Sequence, residues 1–489
     1  MNLLVIGGGP AGMSAALQGR ELGAQVTLLE AEQVGGTMLN RGPAPVRTLA
    51  RAARLVRDWS SWDQFGLRGP RPTLDLAAVL AGSDRVARHA HGTKDVAGHL
   101  RHQGIELAEH TGPVRFTDPH AVRAEDGRTW CADRIVLAVG GHAASLPVPG
   151  GALALSYGDL RGLNALPEDV LVVGGADTGC QIASILADFG VAISLLEFAP
   201  DLLPTADHSV SAALRAAFEA RGIRVCTGAR VTELAADGDR VLVRFTEGDR
   251  AQQVEVGAVF AAVGWPATTE SLDLDTAGVI RTRQAIPVDE HLRTNVEHIF
   301  AAGDANGLSK LVQTARYEGR LAARNAVRGP TRRTDYQVVP SGSFTDPEYG
   351  AVGLTEQQAA REHDVAVGTA RHDDLLRPVA DGRSDGFCKL IVDRASHRIL
   401  GGHVLGEYSA ETVQVIATAM TAGMTVEQLA EVQYAFPTFT EAVSMAAQRV
   451  CRDLGTGDFP AVWSYLGEDS PSGTHPERPL AHDEGLPRG

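Results

Sequence analysis

The chain has 489 residues, of which 44% are hydrophobic and 21% charged, and its formal net charge is −15. That length exceeds one ordinary core and predicts two to four domains in a soluble globular protein. The acidic balance argues against nucleic acid and anionic membranes as partners, because both repel a negative surface.

The N-terminus, MNLLVIGGGPAG, has no basic region ahead of its apolar run. The run is too short for a signal peptide or a membrane span, so it reads as a buried first strand of a cytoplasmic protein. After NLLVI comes the glycine turn GGGPAG, a helical stretch through Leu22, and a second strand, AQVTLLE, ending in Glu30. This is the order of a dinucleotide-binding βαβ unit. Gly7 permits the tight turn, Gly9 lets backbone approach a pyrophosphate, and Gly12 lets helix and strand pack closely. Pro10 and Ala11 complete the turn that faces the phosphates, and Glu30 can accept both hydroxyls of an adenosine ribose.

The same architecture returns at 169–197, DVLVVGGADTGCQIASILADFGVAISLLE. Gly174 and Gly179 hold the first and third glycine positions, but the middle one is Ala176. Its methyl group crowds the backbone approach, so this second site is expected to hold its dinucleotide differently, or to have lost it. Glu197 stands where Glu30 stands in the first unit. A carboxylate there repels a 2′-phosphate and Phe198 supplies no cation, which favours NADH over NADPH.

Between the repeats, RIVLAVGG is a buried strand ending at Gly140, with AVFAAVGWP as its counterpart after the second repeat. NVEHIFAAGD ends a further strand at Gly303 and Asp304, and LVQTARYEGRLAARNAV follows with helical spacing. From about Pro340 the texture changes to short antiparallel strands and then helices at 409–422 and 425–431. The stretch from Thr456 is rich in Gly, Pro, Ser and acids and is expected to be a mobile tail, its first turn pinned by Phe459, Trp463 and Tyr465. The five cysteines (Cys131, Cys180, Cys226, Cys388, Cys451) are scattered with no CxxC or CxxxxC spacing, as suits small buried residues in a reducing compartment. No metal site is expected.

With these motifs the chain resembles the class I pyridine nucleotide–disulfide oxidoreductases, the group of dihydrolipoamide dehydrogenase, glutathione reductase and mercuric reductase. The likeness runs from residue 2 to about 455 and also takes in GGTMLN, FTDPE and YAFPTFTE. It implies an α/β fold of two Rossmann-like three-layer domains, for FAD and NAD(P), plus a C-terminal α+β dimerisation domain. FAD would be held by residues 1–147 and 266–335, NAD(P) by 148–265, and a homodimer by 336–455, with 456–489 as the tail. Gly36, Thr37, Gly140, Gly303 and Asp304 are carried over as FAD contacts, Asp304 at the ribityl chain, and Gln181 as a residue of the nucleotide site.

The likeness also implies a disulfide beside the flavin, in a stretch reading roughly GGTCLNxGCxPSK. Residues 35–47 read GGTMLNRGPAPVR, so the two cysteine positions are Met38 and Pro43. The acid–base histidine of the partner subunit's segment is Phe436, although Glu441 remains. The lysine expected near the flavin is Arg47, and its glutamate partner is Gln181, so an ion pair becomes an arginine facing a neutral amide. Arg47 could hold a substrate carboxylate or an oxyanion, or else pair with another local acid and only support FAD. Met38, Pro43 and Arg47, with the partner subunit's Tyr434 and Phe436, would line an aromatic, partly cationic pocket suited to a flat organic molecule, with Tyr434 as proton donor or as packing.

From these departures the sequence reading excludes disulfide reduction. It favours an FAD-dependent oxidoreductase in which NAD(P)H reduces flavin and flavin reduces a small organic acceptor, such as a quinone, directly. Two alternatives stand beside it: a flavin-dependent dehydrogenase or oxidase of a small metabolite, and a non-catalytic flavin-binding homologue.

Overall fold

A computed structural model describes residues 1–40, 42–457 and 459. Strands with continuous apolar runs suit a sheet covered on both faces, and they form two parallel sheets. In the first, the order is Ile299–Ala301, Arg134–Leu137, Asn2–Ile6, Gln25–Leu29 and Glu106–Ala108. In the second it is Arg224–Cys226, Ala192–Leu196, Asp169–Val173 and Ala258–Ala261. Each is flanked by a small antiparallel sheet, Val114–Asp118 with Ala121–Ala124 and Thr129–Cys131 beside the first, and three strands spanning 229–256 beside the second.

The second Rossmann unit repeats the first nearly bond for bond. Gly7 N–H donates to Leu29 O at 2.8 Å, and Gly174 N–H to Leu196 O at 2.7 Å. Both glycines sit at φ +103°, in the region that favours glycine. A Cβ on Gly12 would collide with the Gly7 carbonyl, and one on Gly179 with that of Gly174, so the third glycine is required by the protein itself.

After residue 340 the chain forms an antiparallel sheet in the order Ser341–Gly342, Tyr349–Gly353, Ile399–Leu405, Phe387–Asp393, Val365–Arg371. Helices Ser409–Thr421 and Glu441–Leu454 bury their apolar sides against it, around Val392, Val413, Ile416, Val443 and Val450. Phe459 packs on this core. Trp463, Tyr465 and the rest of the expected tail from residue 460 lie outside the described residues.

The helix Pro43–Asp58 leaves the first sheet's domain and reaches both other domains. Val46, Leu49 and Ala53 pack with Ile185 of the second Rossmann helix and with Phe344. The helix therefore packs against all three modules.

Candidate functional site

The first glycine turn leaves room for a ligand. A Cβ on Gly9 would meet nothing nearer than Gly36 Cα at 3.8 Å, so packing alone does not require glycine there. Gly36, at φ +55°, could not carry a side chain, since its Cβ would lie 2.7 Å from Gly9 Cα. Two glycine backbones thus face each other over the start of the helix Pro10–Glu21. Pro10 occupies its first turn, Ala11 is buried, and no side chain caps its N–H groups. Such a cradle fits a pyrophosphate.

Glu30 accepts from Gly8 N–H (2.7 Å) through one carboxylate oxygen and from Glu32 N–H (2.8 Å) through the other. Burial pushes its carboxyl above the usual range while these bonds pull it back. Across the cleft, Gly140 (φ +69°) has open space about its Cα. Gly303 N–H donates to Glu318 Oε2 at 2.7 Å. Glu318 is fully buried and also accepts from Asn306 and Tyr336, each at 2.7 Å, which holds the Gly303–Asp304 turn in place. Asp304 accepts from the Trp265 indole at 2.8 Å, and its raised carboxyl pKa comes first from burial. Thr37 is exposed on the short helix Gly36–Asn40. These residues fit FAD.

In the second unit, Glu197 accepts from Gly175 N–H and, at 2.7 Å, from Ala199 N–H, as Glu30 does in the first. Two features were not singled out from the sequence. Asp177 occupies the first turn of the helix Asp177–Asp188, is open to the cleft, and accepts a hydrogen bond from the Tyr349 hydroxyl of the interface domain. The surrounding protein raises its carboxyl pKa to about 6. Arg230 lays its guanidinium over the exposed Phe198 ring, 4.5 Å from the centroid, so the strand end bearing Glu197 does have a cation beside it. The sequence signal for Asp177 was available, as an acid beside Ala176. Arg230 comes from a different strand and left none.

Arg47 is held by an acid of the interface domain. Its guanidinium forms a 2.6 Å ion pair with buried Glu348 and lies over the Phe344 ring at 5.0 Å. The acid comes from FTDPE, a motif read from the sequence without a role for its glutamate. Arg54 reaches the same Glu348 (3.5 Å) and Glu407 (2.6 Å), and Arg57 pairs with Asp346 at 2.5 Å. Of the two roles open to Arg47, pairing with a local acid is the one the contacts support. Gln181 is half-buried on the second Rossmann helix.

Met38 lies 3.6 Å, through its sulfur, from the Arg316 guanidinium. Pro43 opens the helix Pro43–Asp58. Phe436 is 69% exposed, and Tyr434 packs on the interface-domain core with its hydroxyl buried and unpartnered among the described residues. Glu441 starts the helix Glu441–Leu454; its Oε2 is likewise buried without a partner, and burial raises its pKa. Among the described residues no group of three or more His, Cys, Asp or Glu could hold a metal. No described helix is long and apolar enough to cross a membrane.

Residues 1–319 match the family model described as pyridine nucleotide-disulphide oxidoreductase, and 339–447 match that family's dimerisation domain. The chain belongs to the pyridine nucleotide-disulphide oxidoreductase family. Its fold is accordingly mixed α/β, with Rossmann-like parallel sheets and a C-terminal dimerisation domain, and membership implies FAD and a pyridine nucleotide. The chain is 32% identical over 451 residues to the dihydrolipoyl dehydrogenase of Zymomonas mobilis, covering 90% of this chain and 96% of that one. It is 33% identical over 455 residues to the dihydrolipoyl dehydrogenase of Thermus scotoductus, covering 91% and 96%. LpdA from Mycobacterium tuberculosis superposes with a TM-score of 0.83 at 26% identity, over 92% of this chain and 99% of LpdA. RclA from Escherichia coli, a flavoprotein disulfide reductase induced by HOCl, shares the fold with a TM-score of 0.81 at 24% identity, over 92% and 99%.

These relatives correct the functional expectation. A direct reductase of quinones or other small organic acceptors, barred from disulfide chemistry, is not what a chain so closely matched to dihydrolipoyl dehydrogenases points to. The two alternatives beside that reading fall with it. The error was one of weight: three altered side chains were set above a likeness that covers nine-tenths of the chain.

Proposed function

We propose that the protein exchanges electrons between a pyridine nucleotide and a disulfide or dithiol substrate, through FAD, and that the reacting sulfurs belong to the substrate. The observation that carries this is Met38. It stands where the family stretch places its first redox cysteine, Pro43 stands at the second, and all five cysteines of the chain lie elsewhere and are free. Bound FAD supplies two-electron exchange with nicotinamide and with sulfur. The chain's part is to hold it, through Gly9, Gly36, Glu30 and Asp304, and to leave the Met38 side open to a substrate. In the reducing direction the S–S bond breaks, the hydride of the nucleotide provides two electrons and one proton, solvent provides the second proton, and two thiols leave.

Glu441 is the residue proposed to hold a proton beside the departing thiol, since its carboxyl has a raised pKa and its buried Oε2 has no partner among the described residues. Tyr434 is proposed as packing beneath it and Phe436 as a wall of the partner's pocket. NADH is preferred because Glu197 repels a 2′-phosphate; Arg230 beside it keeps the preference modest, about tenfold. We propose a homodimer as the working unit.

The test is anaerobic. FAD-loaded protein is mixed with NADH and then with lipoamide, and free thiol is counted with monobromobimane. Two thiols are expected per NADH consumed, and titration with NADH alone should take up one two-electron equivalent per subunit. NADH oxidation that yields no thiol from lipoamide, lipoate or dithiodipyridine would sink the proposal.

A further inference from the structure

We infer that Arg316, beside Met38, is a specificity residue for the substrate and that it selects one bearing a carboxylate or another anionic group. This rests on the disulfide reading above for the reaction, but not for the binding.

Arg316 lies near the start of the helix Val312–Arg328, exposed, with its Nη2 3.6 Å from the Met38 sulfur. A thioether is a weak acceptor and leaves most of the guanidinium's donors unused. Among the described residues Arg316 has no carboxylate within ion-pair distance. This contrasts with Arg47, Arg54 and Arg57, each of which has an acid and serves the scaffold.

The field around Arg316 is positive as well. Lys310 is exposed just ahead of the same helix, and the helix N-terminus has no side-chain cap. Asp304, ahead of the same helix, accepts from the Trp265 indole and its carboxyl also feels Lys310, while Glu318 is buried and engaged by Gly303, Asn306 and Tyr336. An unpaired guanidinium offers a planar fork of donors that matches a carboxylate. Set beside the residue that replaces a reactive thiol, it can orient a substrate by its charged end while the sulfurs meet the flavin.

Lipoate and lipoamide carry the same dithiolane and differ only in charge, which makes them the probes. With the holoenzyme, the KM for lipoate is expected to lie about tenfold or more below that for lipoamide, with kcat similar. Arg316→Gln should raise the lipoate KM to the lipoamide value and leave lipoamide unchanged, and Arg316→Lys should restore part of the difference. Calorimetric titration of oxidised holoenzyme with lipoate reads binding without turnover, and there too Arg316→Gln should weaken the affinity about tenfold. Because Arg316 is exposed and, among the described residues, its side chain has no hydrogen bond except to Met38, FAD content and melting temperature should not change. Equal lipoate affinity in wild type and Arg316→Gln overturns the inference whatever the turnover. Absence of turnover with both probes, while the binding difference persists, overturns the disulfide reading and leaves Arg316 as an anion site.

Discussion

Asp177 is a single residue whose charge state should be visible in nucleotide binding. It sits in the first turn of the helix that faces the dinucleotide phosphates, where an anion would ordinarily be stabilised and where the pyrophosphate itself must come. Its carboxyl pKa is raised to about 6 by the surrounding protein, and the Tyr349 hydroxyl is its hydrogen-bond partner. Cys180, the other titratable group that feels Asp177, has its thiol pKa pushed well up by burial and stays neutral. Below about pH 6 Asp177 is therefore protonated and neutral; above it, the carboxylate opposes the pyrophosphate. One like charge at a distance of about 6 Å in a partly solvated cleft costs about 1.4 kcal/mol, which is about tenfold in affinity. NADH affinity is expected to fall about tenfold as pH rises from 5 to 7.5, and Asp177→Asn should hold the tight value throughout. Stopped-flow reduction at several NADH concentrations checks it. An identical pH profile in wild type and variant would show that the nucleotide does not pass this carboxylate.

At the scale of elements, the helix Pro43–Asp58 is fastened to the interface domain by charge. Arg47, Arg54 and Arg57 meet Glu348, Glu407 and Asp346, and Arg383 adds an ion pair to Asp58 at the helix end. The partners are not equivalent. Glu348 is 1% exposed while the Arg47 side chain is 46% exposed. Truncating the buried member removes the acid that Arg47 and Arg54 share, although Arg54 keeps Glu407, whereas losing Arg47 leaves Glu348 still facing Arg54. Glu348→Ala is expected to destabilise the protein by about 2 kcal/mol, and Arg47→Ala by less than about 1 kcal/mol. Thermal and urea unfolding of the two variants decide it, and an equal or larger loss for Arg47→Ala would mean that the pair does not fasten the helix. This element also shows why part of the site was hidden in the sequence. Glycine turns and strand-end acids are local, so Gly7, Gly12, Glu30 and Glu197 could be placed before any coordinates. Arg47 and Glu348 are 301 residues apart, and nothing in either neighbourhood announces the other. Asp177 was in plain view, but the Tyr349 that meets it lies 172 residues away in another domain.

For the whole molecule, the interface domain presents the opposite of what a lone domain should. Its sheet and helices bury one apolar face internally, yet Leu376, Val379, Tyr408, Val432 and Phe436 stay 40–69% exposed on its outside. All five fall within residues 339–447, the stretch matching the family's dimerisation domain. A two-fold interface uses the same patch on both copies, so each side chain counts twice. The segment carrying Phe436 also carries Tyr434 and Glu441, whose buried polar atoms find no partner among the described residues. A second subunit would cover the ring and close over this segment, which ties assembly to the proton chemistry proposed for Glu441. Burying one phenylalanine contributes about 1.5–3 kcal/mol, so Phe436→Asp, acting on both copies, should weaken the dimer by about 10²- to 10⁴-fold. Sedimentation velocity over a micromolar concentration series is expected to show a dimer for the native chain and a monomer–dimer equilibrium for Phe436→Asp. Disulfide turnover should fall with the dimer fraction while flavin reduction by NADH, which needs only one chain's Rossmann units, persists. A variant that stays fully dimeric would place the two-fold contact elsewhere on the domain.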